Sequence, residues 1–329
     1  MRTFPPMSVG DSTPGRTRAR YNRREFAAAL AVAAAGAATG CHSLGGGREE
    51  IIDCHTHFYD PTRPQGVPWP GKGETQLYRR VLPADYKALA MPHGVTGTVV
   101  VEASAWLEDN EWVLDLAKAE TFLKGFVGHL NPGDGEFAWQ VKRFARHRLF
   151  RGIRVSGNDV ATLTQTQKLR DLRMLADHDL SLDVNGGVPS LPEVAALARA
   201  VPQLRIIIDH VANVHIDGHA PPENWRDGMS AAGQQTNVLC KVSGLVEGSG
   251  QRPAAPRDLN FYRPVLDHVW HCFGTDRVIY GSNWPVSELF ASFATVHGIV
   301  QSYFAEKGAS ASRKYFADNA RTAYRWVRR

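Results

Sequence analysis

From residue 50 onward, short apolar runs alternate with longer stretches whose apolar residues recur at helical spacing. The runs cover residues 51–54, 95–102, 124–130, 150–155, 180–184, 204–210, 238–242 and 278–281. Helical stretches lie over 110–121, 136–147, 164–178, 191–200, 258–273 and 288–307. A last one, over 312–327, is placed to close the bottom or side of the fold. Strand and helix in alternation are the pattern of parallel βα units. Eight such runs predict an α/β fold, a closed (β/α)8 TIM barrel, rather than a doubly wound sheet.

Between residues 58 and 83 a stretch rich in Pro, Gly and aromatic residues interrupts the alternation, running from Tyr59-Asp60-Pro61 to Pro68-Trp69-Pro70-Gly71. Structureless loops of that length are usually functional or disordered. Its place after the first strand puts it over the barrel mouth, where it can wall a pocket.

The first forty residues stand apart. An arginine-rich segment ends in Asn22-Arg23-Arg24-Glu25-Phe26, an alanine-rich stretch covers 27–38, and Thr39-Gly40-Cys41 follows. This order of regions reads as an export signal, and the paired arginines with Phe two residues on are similar to a twin-arginine signal. The alternative is a basic tail with an Ala-rich helix. Ala38-Thr39-Gly40-Cys41 is similar to a lipobox, in which an acylated Cys41 would hold the protein on a membrane face. Ala38 stands where such boxes usually carry Leu. Leu44-Gly45-Gly46-Gly47 would then be a flexible tether. The resulting division is 1–41 export signal, 42–49 linker and 50–329 barrel, with an exported location, periplasmic or lipid-anchored.

The leader also changes how the charge reads. The chain carries +5, but six arginines against Asp11 and Glu25 put +4 of it in residues 1–40. The body is close to neutral and offers no electrostatic case for nucleic acid; the small-molecule partner expected of the chain comes from the family resemblance given below. At 43% hydrophobic residues the chain can bury a sizeable core, and no apolar run in the body has the length of a membrane span. Four cysteines do not make a disulfide framework, and acylation of Cys41 would leave an odd number. Cys54 and Cys240 fall two strands apart, roughly 9–10 Å by strand spacing and past disulfide reach. They are expected to be buried free thiols.

Candidate chemistry sits at the ends of the runs. Asp53-Cys54-His55-Thr56-His57 places two histidines at i, i+2 on one side of a strand end, and neutral imidazoles are common ligands of zinc-like ions. Thirteen histidines in the chain make that spacing an ordinary chance event, so its weight comes from the apolar strand that precedes it. A pair of loop histidines with ordinary hydrogen bonds is the alternative. Asp209-His210 closes a buried run, where an unpaired charge is costly; His210 is then a ligand or electrophile, or else the two form a local structural pair. Gly281-Ser282-Asn283-Trp284-Pro285 ends the eighth run, with Trp284-Pro285 as a stiff apolar wall, and taken alone would be a plain turn. Glu102, His129, Arg154, Asp183, Asn185, Lys241 and Ser243 end or flank other runs. In a TIM barrel such positions surround the active site, although each singly is more often a cap or loop residue.

With these residues in hand, the chain resembles the amidohydrolase-related family, in its sugar-lactonase-like branch. The resemblance runs from Ile51 to about Arg325. It is carried by Ile52-Asp53-Cys54-His55-Thr56-His57, Arg151-Gly152-Ile153-Arg154, Ile208-Asp209-His210, Lys241-Val242-Ser243-Gly244-Leu245, Tyr280-Gly281-Ser282-Asn283-Trp284-Pro285-Val286 and Asp318-Asn319-Ala320. It implies hydrolysis of a small lactone, of sugar or pyrone-carboxylate type, or of a related ester. It makes His55, His57 and His210 the residues that hold a divalent ion, zinc or manganese, or that polarise the carbonyl directly. It also makes Arg154 the grip on a substrate carboxylate or hydroxyl, a task that suits a planar fork of donors. His129, Asn185, Lys241 and Trp284 complete the expected substrate contacts.

One position departs from the family pattern: Asn283 stands where the family usually carries Asp. Asn cannot take a proton at neutral pH, and loss of a general base typically costs about 10²–10⁴-fold in rate. Asn283 can still hold water or ligand by hydrogen bonds, with Glu102 the first candidate for the missing base and Asp183 or His129 behind it. Two readings follow, an active metal-assisted hydrolase or a non-catalytic binding barrel. A decarboxylase or hydratase on the same fold is a third.

Overall fold

A computed structural model of the protein describes residues 50–326. The export signal, the lipobox at Cys41 and the linker over 42–49 lie outside the described residues, as do 327–329. Eight parallel strands run in sequence order around one sheet: β1 (Ile51–Thr56), β2 (Val95–Val101), β3 (Leu123–Gly128), β4 (Phe150–Ser156), β5 (Ser181–Asn185), β6 (Arg205–Ile208), β7 (Val238–Val242) and β8 (Val278–Tyr280). The ring closes where Thr56 pairs with Trp284 and the His57 N–H donates to the Trp284 carbonyl at 2.9 Å. This is the expected TIM barrel, with strand ends shifted by one or two residues.

The helices are α1 (Pro83–Ala90), α2 (Leu107–Ala119), α3 (Phe137–Phe144), α4 (Thr166–Asp177), α5 (Leu191–Ala200), α6 (Glu223–Gly233), α7 (Leu259–Phe273) and α8 (Phe293–Glu306). Side-chain caps set two of the starts: Asp258 accepts from the Asn260 N–H ahead of α7, and Ser292 from the Thr295 N–H ahead of α8. The second cap starts α8 five residues later than the pattern predicts. α1 and α6 have no counterpart in the pattern. α6 buries Trp225, Met229 and Ala232, but Gly228 and Gly233 dilute that stripe in the sequence. None of these helices is long and apolar enough to cross a membrane.

The chain packs two cores. An outer one lies between strands and helices, and an inner one fills the barrel with Ile52, Cys54, Val99, Val101, Val127, Ile207, Leu239 and Ile279. The C-terminal segment plugs the inner core from below with Ala317, Ala320, Ala323 and Tyr324. It is three short pieces rather than one helix: Ala309–Arg313, a π-helical turn over Lys314–Asp318, and Asn319–Tyr324. Cys54 belongs to the inner core and Cys240 to the outer, so the barrel wall separates two buried free thiols.

Candidate active site

β1 sets up the site through a register break. Ile52 and Cys54 point into the barrel, and strict alternation would send His55 and His57 outward. Three steps along β1, from Asp53 to Thr56, match two along β2, from Thr98 to Val100. The extra residue reverses the alternation, as a bulge does, and both imidazoles turn inward. Asp53 faces the other way and pins the bulge. Its Oδ1 accepts the N–H groups of His55 and Ser282, each at 2.9 Å, and its Oδ2 accepts the Tyr86 hydroxyl. One buried carboxylate thus ties the end of β1 to the end of β8.

Below the histidines lies a closed charge cluster. The Lys241 ammonium is 2.8 Å from both Asp183 Oδ2 and Asp209 Oδ1 and lies 3.1 Å from His55 Nδ1. Tyr324 donates to Asp183 Oδ2 at 2.7 Å from the plug. All four charged or imidazole side chains are fully buried. Burial pushes the Asp209 carboxyl up, but the Lys241 charge, then His55, hold it well below the usual carboxylate range. Burial and then the Lys241 charge keep His55 neutral. Gly281 permits this closeness, since a Cβ there would lie 2.9 Å from His55 Cβ and 3.3 Å from Lys241 Cδ.

β6 ends in a left-handed turn, with φ of 53°, 46°, 59° and 47° at His210, Val211, Ala212 and Asn213. L-residues pay roughly 1–2 kcal/mol each for this conformation, and β-branched Val211 is an unusual occupant. The Trp225 indole N–H holds the turn by donating to the Val211 carbonyl at 2.8 Å. His210 and Asn213 both reach the mouth as a result. The His210 and His55 rings are 4.2 Å apart, and those of His55 and His57 are 4.9 Å apart. Burial lowers His57 to about 3 and His210 to about 4, so all three imidazoles are neutral at physiological pH. His57 Nδ1–H donates to the Val101 carbonyl at 3.0 Å, which leaves Nε2 as its lone-pair nitrogen.

Above them opens a cavity of about 470 Å³ lined by His57, Trp69, Ala103, Arg154, Asn185, His210, Asn213, Glu247, Asn283 and Val286. Of the sequence candidates, the structure brings His57, His210, Arg154, Asn185 and Asn283 to this cavity and places His55 just beneath it. The others lie elsewhere. Lys241 is sealed in the charge cluster with Asp183, because the inward positions of β5 and β7 fall one layer below the mouth. Glu102 is clasped by Arg154, whose Nε–H donates to Oε1 and Nη2–H to the Glu102 carbonyl, both at 2.8 Å. Trp284 is buried behind β1 against Phe58 and Tyr86 and gives its indole N–H to Glu288. His129 does not line the cavity; its backbone pairs with the Asn110 side chain. The aromatic wall is Trp69, from the long loop, 5.8 Å from the His57 ring. Tyr59–Val81 pairing and an Arg63–Asp109 ion pair at 2.8 Å fasten that loop.

Glu247 had no sequence signal. It lies on a single helical turn, Leu245–Gly248, after β7. Its Oε1 accepts the Asn283 amide at 2.9 Å, its Oε2 is shielded and unpartnered, and burial pushes its carboxyl up to about 7. The Lys241–Leu245 motif stops two residues short of it.

The amidohydrolase family model matches residues 52–326. The chain belongs to the amidohydrolase family. An L-fucono-1,5-lactonase of Burkholderia ambifaria is 34% identical over 245 residues, 74% of this chain and 82% of that one. A second L-fucono-1,5-lactonase, of Burkholderia multivorans, is 28% identical across 80% of this chain and 91% of its own. A crystal structure of an amidohydrolase from Burkholderia multivorans with bound zinc superimposes with a TM-score of 0.73 at 25% identity, over 84% of this chain and 99% of that one.

This amidohydrolase barrel has residues that fit a divalent ion. Ligating atoms of His55, Asp209 and His210 lie within 4.8 Å of one another. His55 Nε2 and Asp209 Oδ2 are buried without hydrogen-bond partners, as ligand atoms awaiting a cation would be. The imidazoles are neutral and Asp209 is ionised, which is the protonation state that ligation requires. Lys241 already balances part of the Asp209 charge.

Proposed function

We propose that this enzyme hydrolyses a small, neutral, hydroxylated lactone at the barrel mouth. The carrying observation is the convergence of three neutral imidazoles under one polar cavity, with His55 Nε2 unpartnered. The lactonase relatives support the reaction class, an ester-bond hydrolysis. The charge of the cavity supports the substrate class. Among the described residues its one cation, Arg154, is already answered by Glu102, and Asn185, Asn213 and Asn283 offer amide donors and acceptors suited to hydroxyls.

His55, Asp209 and His210 would hold the ion, zinc or manganese, and His57 stands beside them at the mouth. Such an ion supplies Lewis acidity, drawing electron density from a carbonyl oxygen. The chain's own groups orient the substrate. Arg154, fixed by Glu102, presents its remaining guanidinium donors, and the Trp69 ring covers one side and limits water. The alternative reading, a barrel that binds without catalysis, draws on Asn283 and on the lipobox-like segment at Cys41.

The test is hydrolysis of L-fucono-1,5-lactone and related sugar lactones by the full chain, followed by acid release, with metal content measured on the same preparation. Turnover near ordinary enzyme rates is expected, with about one zinc or manganese per chain that His55→Ala loses. A protein that binds these lactones without opening them would favour the binding reading.

A further inference from the structure

Among the described residues, Glu247 is the only carboxylate that lines the cavity. The other acidic groups nearby are committed: Glu102 to Arg154, Asp183 to Lys241 and Tyr324, and Asp209 to Lys241. Glu247 meets an amide instead of a cation, through the Asn283 Nδ2–H···Oε1 bond of 2.9 Å, and its Oε2 has no protein partner. Its position is held from both sides. The turn that carries it starts at Gly244 with φ 66°, and the Gly248 carbonyl accepts the Ile216 N–H at 2.9 Å from the β6 loop. Asn283 has φ 57°, a left-handed conformation that Asn tolerates.

We propose that Glu247 is the proton carrier of this site and that Asn283 is its positioning residue, an inference that rests on the lactone reading above. The exchange is between two neighbours. Strand 8 supplies the amide where the family pattern has a carboxylate, and the turn after β7 supplies the carboxylate. In the reaction, the water oxygen bonds to the lactone carbonyl carbon as one of its protons passes to a Glu247 oxygen. The bond from that carbon to the ring oxygen then breaks and leaves its electron pair on the ring oxygen. The proton on Glu247 passes to that oxygen, which releases the open hydroxy acid and restores the carboxylate. A group that both takes and returns a proton works best when its pKa is near the operating pH, and burial brings Glu247 to about 7. The other titratable groups around it are His57, His210 and Arg154, which face the cavity from β1, β6 and β4, and Tyr262 of α7.

The experiment is a pH–rate series with L-fucono-1,5-lactone on the full chain and its variants Glu247→Gln, Glu247→Asp and Asn283→Asp. The parent is expected to show an acid limb in kcat/KM with its inflexion near 7. Glu247→Gln should lower kcat about 10²–10⁴-fold with KM nearly unchanged, and should lose that limb. Glu247→Asp keeps a carboxylate and should retain the limb at reduced rate, which separates lost chemistry from lost folding. Asn283→Asp places a second carboxylate against the first, so the limb should move to higher pH. A Glu247→Gln protein that works within threefold of an active parent, with the acid limb in place, overturns the assignment and leaves the lactonase reading standing. A parent that opens no lactone overturns that reading, and the assignment with it.

Discussion

Asp209 and Glu247 are carboxylates at the same end of one barrel, and burial acts on both in the same direction. Their outcomes are opposite. Asp209 has the Lys241 ammonium at 2.8 Å and is held well below the usual carboxylate range, while Glu247 has only neutral donors, its own backbone N–H and the Asn283 amide, and burial pushes it up to about 7. A cation can offset the desolvation of a carboxylate and keep it ionised, whereas these neutral donors do not. The first arrangement makes a fixed electrostatic floor for His55. The second makes a group that can exchange a proton at neutral pH. Burial alone therefore does not mark a catalytic carboxylate; the charge of its partner decides.

The comparison breaks most severely if the cation is removed. Lys241→Met leaves Asp183 and Asp209 buried side by side with no positive charge, and a loss of about 3–5 kcal/mol of folding stability is expected. Urea denaturation at neutral pH measures it. A loss under 1 kcal/mol would mean that the cluster reorganises and that Lys241 is not what holds Asp209 ionised.

The second test removes the uncompensated member. The carboxyl of Glu247 is raised from its ordinary 4.5 to about 7, so the folded state holds its proton more tightly than the unfolded chain does. The burial penalty is absent below 4.5, grows as pH rises to 7, and stays constant above. Glu247→Gln should match the parent at pH 4.5 and exceed it at pH 8 by as much as about 3 kcal/mol. A stability difference that does not vary with pH would remove the contrast with Asp209.

The smallest effect sharpens the contrast by disturbing one side only. Gly281→Ala sets a methyl group against His55 and Lys241, at an expected cost of about 1–3 kcal/mol for overpacking. Turnover should fall while the acid limb assigned to Glu247 keeps its position. A shift of that limb would show that the two carboxylates are coupled.

Much of the frame is legible along the chain. The eight buried runs, the helices at 191–200 and 258–273, and the polar strand ends follow from local pattern. Elements whose stripe is short or diluted by glycine, α1 and α6, do not. In the site, the sequence points to His55, His57, His210, Arg154, Asn185 and Asn283, which the fold brings to one mouth or directly beneath it. Lys241, Glu102, His129 and Trp284 occupy equally promising positions in the chain and end up sealed, clasped or turned away. Depth along the barrel axis and the partner across it separate the two groups, and neither is a property of neighbours in sequence.

The sequence by itself determined the barrel and the imidazoles, because these depend on residue type and on periodicities of two and 3.6; that Asn283 stands in place of a carboxylate follows from the family resemblance. Only the tertiary structure decided which way the imidazoles point, through the β1 bulge and the left-handed turn at His210. It also made Glu247 a candidate at all. A shifted pKa is set by the desolvation and charge of everything packed around a group. For Glu247 those surroundings include Asn283 and Tyr262, far from it in sequence and brought close by the closed barrel and its outer helices.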